Sequence, residues 1–428
     1  MEKTYAHWRA AHPLVFISGH LCIGVLLAEI FSPTISTTPL LVPILIVFST
    51  LLLLGLLFQF CSSQPTINFI IAGSLASWGV AIFFATSNQD LFYIPVPSSF
   101  INHCRTLVID KLNQTIRQQE ANGFAQALLL GVKTDINKAL VKAYNQLGII
   151  HIIAISGMHL EIIFKNLTRV TNWLPRNKYF LLLELFIIIG GIWTYTLMAF
   201  ASPSIVRASV FFSIYFIGKF LKQPTLVLNI ISGGILIVLL FDVKDLHHIG
   251  LQLSYAAVIG IHLFYPLFFK MLPMDNPLLS FFWSNFCITL AAQLTTLPIL
   301  AYHFHQLSTL VLISNFIMVP LSNVLLYALA LLICLPNFFN IANLLGNAIE
   351  RYILRMNEEI TQLYTKSISK VAMIHFSTLD VFVYYLLLLF VYLWLFQKKG
   401  RFLFYAIWAL GLLFAIKLFS PLYFLWKI

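Results

Sequence analysis

Charged side chains are scarce in this sequence. Asp, Glu, Lys and Arg make up 10% of the 428 residues and hydrophobic residues 60%, with a mean hydropathy of +0.90, whereas a soluble domain is about 25% charged. Apolar runs of about 20 residues recur along the chain, and the alternating strands of about ten residues that are typical of a membrane barrel do not. The sequence therefore predicts an all-α polytopic transmembrane bundle of about 10–12 spans, with broken or re-entrant helices and amphipathic surface helices.

Catalytic and metal-binding motifs are also missing. There is no P-loop, HExxH or GxSxG, and the five cysteines form no CxxC pair. His303-Phe304-His305 begins like the HxH of a metallo-β-lactamase-type metal site, but Gln306-Leu307-Ser308 follows where that site needs Asp-His. His247-His248 has no third ligand at a useful spacing. We therefore predict no catalytic residue, no metal, no cofactor and no hydrolytic activity.

Basic residues outnumber acidic ones, and the formal net charge is +11. The positive-inside rule explains most of this excess, because cytoplasmic loops collect Lys and Arg. An anionic substrate or partner is the alternative explanation. Lys3 and Arg9, before the first apolar run, place the N-terminus in the cytoplasm. Lys398-Lys399-Gly400-Arg401 marks a cytoplasmic loop before the last span, so the C-terminus is expected outside the cytoplasm.

The apolar runs divide the chain into four parts. Residues 1–90 contain three N-terminal spans, residues 91–122 a linker and an amphipathic helix, residues 123–396 a core, and residues 397–428 a last span. By run length, the spans lie at about 13–31, 39–60, 66–86, 179–200, 203–221, 224–241, 249–269, 279–302, 379–396 and 402–419.

Two stretches of the core are less regular. Residues 307–335 are too long for one helix, and we interpret them as two segments that meet at Val319-Pro320-Leu321. Residues 337–370 are predicted to form an amphipathic surface helix, because their charges recur at helical spacing. These charged residues are Glu350, Arg351, Arg355, Glu358 and Glu359.

The stretch from 148 to 164, GIIHIIAISGMHLEIIF, is apolar enough for lipid and yet carries His151, Ser156 and His159. Titratable groups at membrane depth cost about 2.5–3.5 kcal/mol each on insertion scales, so they usually face a partner or a water-filled cavity. Gly157 permits a helix break, which is tolerated where it lines such a cavity. His151 and His159 would lie about 80° apart on a continuous helix, which allows both to face one pore.

Four further residues are candidates for a pore. Arg207 lies just inside a span, Gln252 follows an acidic, His-containing turn, and Asn315 precedes the expected break at Pro320. Ordinary alternatives exist for each of the polar side chains. The histidines and amides could hydrogen-bond neighbouring helices, and Arg207 could extend its side chain to the membrane interface.

These residues, in this order, resemble the ComEC-type competence proteins, which form the inner-membrane channel of natural transformation. The most specific match is ALLLG (127–131), followed by Gly148 and HIIAISGMH (151–159). The other matches are SPSIVRA (202–208), GLQLSYAAVIGI (250–261), and Thr296-Leu297-Pro298 with Asn315 and Pro320. The resemblance covers about residues 124–396.

The resemblance implies a bacterial cytoplasmic-membrane channel that passes single-stranded transforming DNA. Pore-lining or pore-shaping positions are then His151, Ser156, Gly157, His159, Arg207, Gln252, Asn315 and Pro320. Arg105, Lys111 and Arg117 could add cations to the path, since a single strand needs cations for its phosphates and aromatic faces for its bases.

The sequence departs from full-length members of this family. Residues 87–123 are too few for their OB-fold domain, and no metallo-β-lactamase-like domain is expected after the last span. Strand degradation and energy would therefore come from other partners: a separate nuclease, a DNA receptor and a cytoplasmic ATPase or helicase.

Two other functions stay open. The chain could be a proton-coupled transporter of a small anion, with His151 and His159 as proton carriers, or a non-conducting scaffold of the competence machinery.

Overall fold

A computed structural model describes residues 98–132, 136–173, 175, 177–223, 225–241, 247–308, 310–336, 340–366 and 371–425, together with helical residues 14, 15, 17–19, 21, 22 and 25. Nearly all of this part of the chain is helical, which confirms the predicted class. Apart from those few residues, the three N-terminal spans predicted at 13–31, 39–60 and 66–86 lie outside the described residues, as does most of the linker after them.

Helices are numbered here in chain order from Ser98. They are α1 (Ser98–Thr115), α2 (Gln119–Leu130), α3 (Lys138–Gln146), α4 (Ile150–Ile153), α5 (Gly157–Thr171), α6 (Lys178–Met198), α7 (Pro203–Phe220), α8 (Val227–Phe241), α9 (Ile249–Phe269), α10 (Pro277–His303), α11 (Val311–Cys334), α12 (Asn340–Lys366), α13 (Thr378–Gln397) and α14 (Gly400–Leu425).

Five of the described helices are long and apolar enough to cross a membrane. They are α9, α10, α11, α13 and the Tyr179–Met198 part of α6. Shorter apolar stretches lie in α8 (Val227–Val238) and α14 (Gly400–Ile416). The chain is therefore a multi-pass membrane protein, and the full number of spans stays a prediction.

Two three-residue strands pair with each other near the start of α11 and the end of α12. β1 (Gln306–Ser308) pairs antiparallel with β2 (Val371–Met373), with Leu307 opposite Ala372. β1 follows α10 and precedes α11, and β2 lies between α12 and α13. The pairing therefore gathers the end of α10, the start of α11, the end of α12 and the start of α13.

The chain forms two compact units. The first comprises residues 1–98, 167–192 and 207–251, and the second residues 99–166, 193–206 and 252–428. In the first unit, buried Leu21 and Val25 pack with Ile235 and Leu236 of α8. The predicted division into four consecutive parts stays a prediction.

The second unit holds a large hydrophobic core between short helices and two long ones. Its buried residues come mainly from helices α1 to α5, α11 and α12, and include Phe124, Leu128, Tyr144, Ile149 and Ile353. Short helices form here because their ends are capped. Gly131 ends α2 in the left-handed conformation (φ 73°), which glycine adopts without strain, and the Asn137 side chain accepts the Ala139 N–H at the start of α3.

Candidate functional site

Helix α12 runs antiparallel beside the spanning helix α11. Five residues separate the end of α11 from the start of α12, and the β1–β2 pair lies at their other ends. Halfway along, the Tyr352 hydroxyl donates to the Leu321 carbonyl at 3.1 Å. At 1.5 Å per residue, α12 is about 40 Å long and α11 about 36 Å. The two helices are thus alongside each other over the length of a membrane crossing.

One side of α12 is exposed and mostly polar, although Leu344 on the same side is 73% exposed. Its residues recur every three to four positions, so they form a stripe along the helix. We call this the α12 stripe: Asn343, Asn347, Arg351, Arg355, Glu358 and Glu359, all of them exposed. Four of these six residues are charged and lie close to the middle of the helix.

The charges of the stripe are partly paired. Arg355 contacts Glu358 at 3.0 Å and Glu359 at 2.9 Å. The Arg351 Nε donates to the Asn347 carbonyl at 3.4 Å, a contact within the same turn of helix. Exposed ion pairs contribute little to stability. The charges of the stripe are therefore better explained by the surroundings of this side of α12 than by a contribution to the stability of the fold.

The opposite side of α12 is packed against α2 and α3. Ile349, Ile353 and Ile360 belong to the large core. The buried Tyr144 hydroxyl donates to Asn357 Oδ1 at 3.1 Å, and burial raises the pKa of Tyr144, so the phenol keeps the proton it donates. This packing fixes which side of α12 stays exposed.

Two more contacts hold α12 against the start of α2 and the end of α1. The Glu350 carboxylate accepts the backbone N–H groups of Arg117 at 2.6 Å and Gln118 at 3.0 Å. Gly346 allows the close approach of α1, because a Cβ there would lie 2.4 Å from the Thr115 carbonyl oxygen. Glu350 is therefore a helix cap rather than part of the stripe.

The predicted break in the stretch 148–164 is present. Gly148 has φ 75°, α4 is only four residues long, and Ala154 is extended before α5 begins at Gly157. A Cβ on Gly148 would lie 2.8 Å from Val311 Cγ2 at the start of α11, and one on Gly131 would lie 3.0 Å from Ile155. The two halves of the most specific motif, ALLLG and AISG, are therefore in direct contact.

Ser156 and His159 cap the start of α5. The His159 Nδ1 accepts the Ser156 backbone N–H at 3.1 Å and lies 3.0 Å from the Ser156 hydroxyl. Because Nδ1 accepts, the proton of the neutral ring is on Nε2. This resembles a capping box, in which a side chain in the first turn reaches back to the backbone before it. His159 is 2% exposed, and its Nε2 has no hydrogen-bond partner among the described residues.

The other candidates of the second unit are placed differently from one another. His151 is exposed on α4, and Gly157 is the first residue of α5. Asn315 is buried in α11, where its Oδ1 meets no partner in the described part of the chain. Gln252 Oε1 lies 3.2 Å from His303 Nε2 at the end of α10. The structure therefore brings Ser156 together with His159, and Gln252 together with His303.

The expected interruption at Pro320 is wrong, because α11 is one continuous helix from Val311 to Cys334 with Pro320 inside it. The segment is short enough for one helix once residues 306–308 form β1. Proline removes the N–H that would donate to the Phe316 carbonyl four residues earlier, while two side-chain hydroxyls donate to other carbonyls around it. Here Ser322 donates to the Val319 carbonyl at 2.9 Å, and Tyr352 to that of Leu321.

Three of the predicted cationic side chains donate hydrogen bonds to backbone carbonyls. In the first unit, Arg207 Nη2 donates to the Gly250 carbonyl at 3.0 Å. In the second unit, Arg105 donates to the carbonyls of Met198 at 2.9 Å and Leu197 at 3.0 Å, at the end of α6. The buried Lys111 donates to the Leu335 carbonyl at 2.8 Å, just after α11. The contacts of Arg105 and Lys111 complement the negative, C-terminal ends of α6 and α11, whereas Gly250 is at the start of α9.

Sequence reasoning missed two features. Glu184 is buried in α6 in the first unit, where the Thr171 hydroxyl donates to it at 3.4 Å. A lone acidic residue within an apolar run was the available signal. The second is the neighbour of α12: the predicted amphipathic helix is present with its charged residues exposed, but periodicity could not tell that it packs beside α11. No cluster of three or more potential metal ligands lies in the described ranges.

Together these features define a polytopic helical membrane protein with a polar, charged helix beside its spans. A family model described as "Competence protein" matches residues 128–398. The chain belongs to this competence protein family. It is 31% identical over 203 residues to ComE operon protein 3 of Bacillus subtilis (strain 168), an alignment that covers 47% of this chain and 25% of that protein. The alignment thus spans about a quarter of the relative's length. No solved structure matches the chain.

Proposed function

We propose that this chain acts in DNA uptake during competence, as a channel for one DNA strand in the bacterial cytoplasmic membrane. The observation that carries the proposal is the exposed α12 stripe beside the spanning helix α11. Charged side chains in hydrocarbon cost at least about 2.5–3.5 kcal/mol each. Four of them near the middle of α12 cannot face lipid, so they face water at membrane depth.

The composition of the stripe suits passage rather than tight binding. A conducting path must attract its ligand and also release it. In the α12 stripe, Arg355 is balanced by Glu358 and Glu359, which leaves Arg351 as the cation without a carboxylate partner among the described residues. Such a surface is hydrated and only weakly attractive to phosphates. The two Asn side chains near the start of α12 extend it without adding charge.

Basic residues give the direction of passage. Lys398 and Lys399 lie between α13 and α14 and Arg401 is in the first turn of α14, and the positive-inside rule assigns this junction to the cytoplasm. The β1–β2 pair precedes α13 and so lies at the outer side. The strand would enter near β1 and β2 and leave near the junction of α11 and α12. A separate nuclease, a DNA receptor and a cytoplasmic ATPase or helicase are the proposed partners, and this chain itself hydrolyses nothing.

Cysteine accessibility tests the aqueous path. In a variant without the five native cysteines, Asn347→Cys on the stripe and Val324→Cys on α11 would each be treated with a membrane-impermeant charged thiol reagent in membrane vesicles. Both positions are exposed, and Val324 is 59% exposed on a spanning helix. We expect modification of the cysteine at 347 and none at 324, because thiolates form in water and not in lipid.

Equal protection of both cysteines would overturn the aqueous path. A functional readout accompanies the labelling: uptake of labelled transforming DNA should fall when the cysteine at 347 carries the bulky reagent. Normal uptake in cells that lack the gene and any paralogue would remove the channel proposal and favour the scaffold. Proton-coupled uptake of a small anion that depends on His159 would favour the transporter.

A further inference from the structure

Two histidine rings are in tilted contact beside the β1–β2 pair. The ring centroids of His305 and His375 lie 4.5 Å apart, with 41° between the planes. Both residues are exposed. They belong to the HxH motif after α10 and to the segment between β2 and α13, so the pairing of the strands brings them together. The channel proposal leaves this pair without a role.

The position of His305 is tightly fixed. Its Nδ1 lies 3.2 Å from the Ala301 carbonyl oxygen, and because a carbonyl only accepts, Nδ1 donates. The His305 carbonyl accepts the Ile374 N–H at 3.1 Å. The backbone of His305 is left-handed (φ 55°), which is uncommon for a residue other than glycine. Strained residues that persist often mark functional sites.

The surroundings of the pair are aromatic and at the outer side of the proposed channel. Tyr302 is 39% exposed and Phe304 48% exposed at the end of α10. Tyrosine at such a position is typical of the membrane interface, whereas histidine is not part of that aromatic belt. The fixed, exposed His305 ring, with the His375 ring in contact with it, therefore offers a flat face on which a planar ligand can stack.

We propose that the His305–His375 pair is a stacking platform for unpaired bases of the incoming strand. The proposal rests on the channel function and assigns a binding site at its outer end. Aromatic side chains bind single strands without sequence preference because every base has a π-face. A rigid platform adds affinity because little side-chain freedom is lost on binding.

The test measures binding of a labelled oligothymidylate to the full chain in lipid nanodiscs. His305→Asn removes the ring and suits the left-handed backbone, and His375→Ala removes its neighbour. Each should weaken binding about fivefold or more, the effect of one lost base stack. His375→Phe keeps an aromatic face and should bind like the unmodified chain. An abasic oligonucleotide has the same phosphates, so on it the variants should not differ from the unmodified chain.

The outcomes separate the two proposals. If the unmodified chain binds the oligothymidylate and neither His305→Asn nor His375→Ala weakens it, the platform is wrong and the channel survives. If the same losses appear on the abasic strand, the histidines contact phosphates and the platform is again wrong. If the unmodified chain binds no single strand, the channel proposal fails first and the platform with it.

Discussion

The hydroxyl of Tyr352, midway along α12, donates to the carbonyl of Leu321, midway along α11, at 3.1 Å. This single contact fixes the depth of α12 against a helix that is apolar enough to span a membrane. It therefore also fixes where the charged stripe of α12 lies. The proposed aqueous passage depends on this arrangement, because a helix with these charges lying flat on a membrane surface would need none.

The contribution of the Tyr352–Leu321 hydrogen bond to the free energy of unfolding should be measurable. Tyr352→Phe removes the donor and keeps the ring, so we expect a loss of about 0.6 kcal/mol of folding free energy, the average for hydrogen bonds between membrane helices. Steric-trap or denaturant unfolding in detergent would measure it. Tyr405→Phe, at a ring that is 45% exposed on α14, is the matched control. Equal losses of folding free energy in the two variants would contradict a stabilising hydrogen bond from Tyr352 to Leu321.

Gly346 should tolerate no side chain. In Gly346→Ala the added Cβ would meet the Thr115 carbonyl oxygen at 2.4 Å, so α1 and α12 must separate. Overpacking of this kind costs about 1–3 kcal/mol, and we expect a matching fall in thermal stability. Gly411→Ala is the control, since nothing lies within 4 Å of a Cβ there. A stable Gly346→Ala protein would show that the helices adjust freely.

Substitutions of His159 distinguish a cap from a proton carrier. His159→Gln places an amide oxygen where Nδ1 accepts the Ser156 N–H, so the cap can persist, whereas His159→Ala removes it at a cost of about 1 kcal/mol. We expect DNA uptake to survive in His159→Gln and to fall in His159→Ala, with thermal stability following the same order. Loss of transport in both variants without loss of stability would instead indicate a proton carrier.

Arg351 should contribute to the salt dependence of DNA binding. If it contacts one phosphate of a single strand, Arg351→Gln should reduce the slope of log affinity against log salt by about 0.7. Titrations of a labelled oligonucleotide at several salt concentrations measure this slope. Lys219→Gln, an exposed cation in the last turn of α7, removes the same charge outside the stripe and should leave the slope unchanged. Equal changes in both variants would indicate a non-specific effect of net charge.

Local patterns predicted several elements well because their causes are local. The helix break before Gly157 follows from Ser156-Gly157 and the backbone freedom of Gly148, and the span at 249–269 follows from an uninterrupted apolar run. The same local reasoning failed at Pro320. Proline removes one backbone donor, but α11 stays helical on both sides of Pro320, and the hydroxyl of Tyr352 from the distant helix α12 donates to the carbonyl of the next residue, Leu321.

The amino-acid sequence by itself determined that this protein is helical, crosses a membrane several times and carries the competence motifs, because hydrophobic run length and motif residues are properties of neighbouring positions. Tertiary structure alone decided that α12 lies beside α11, that Arg105 and Lys111 bind helix ends, and that His305 meets His375. Each of these depends on residues far apart in the chain, whose contacts are set by packing and strand pairing rather than by periodicity.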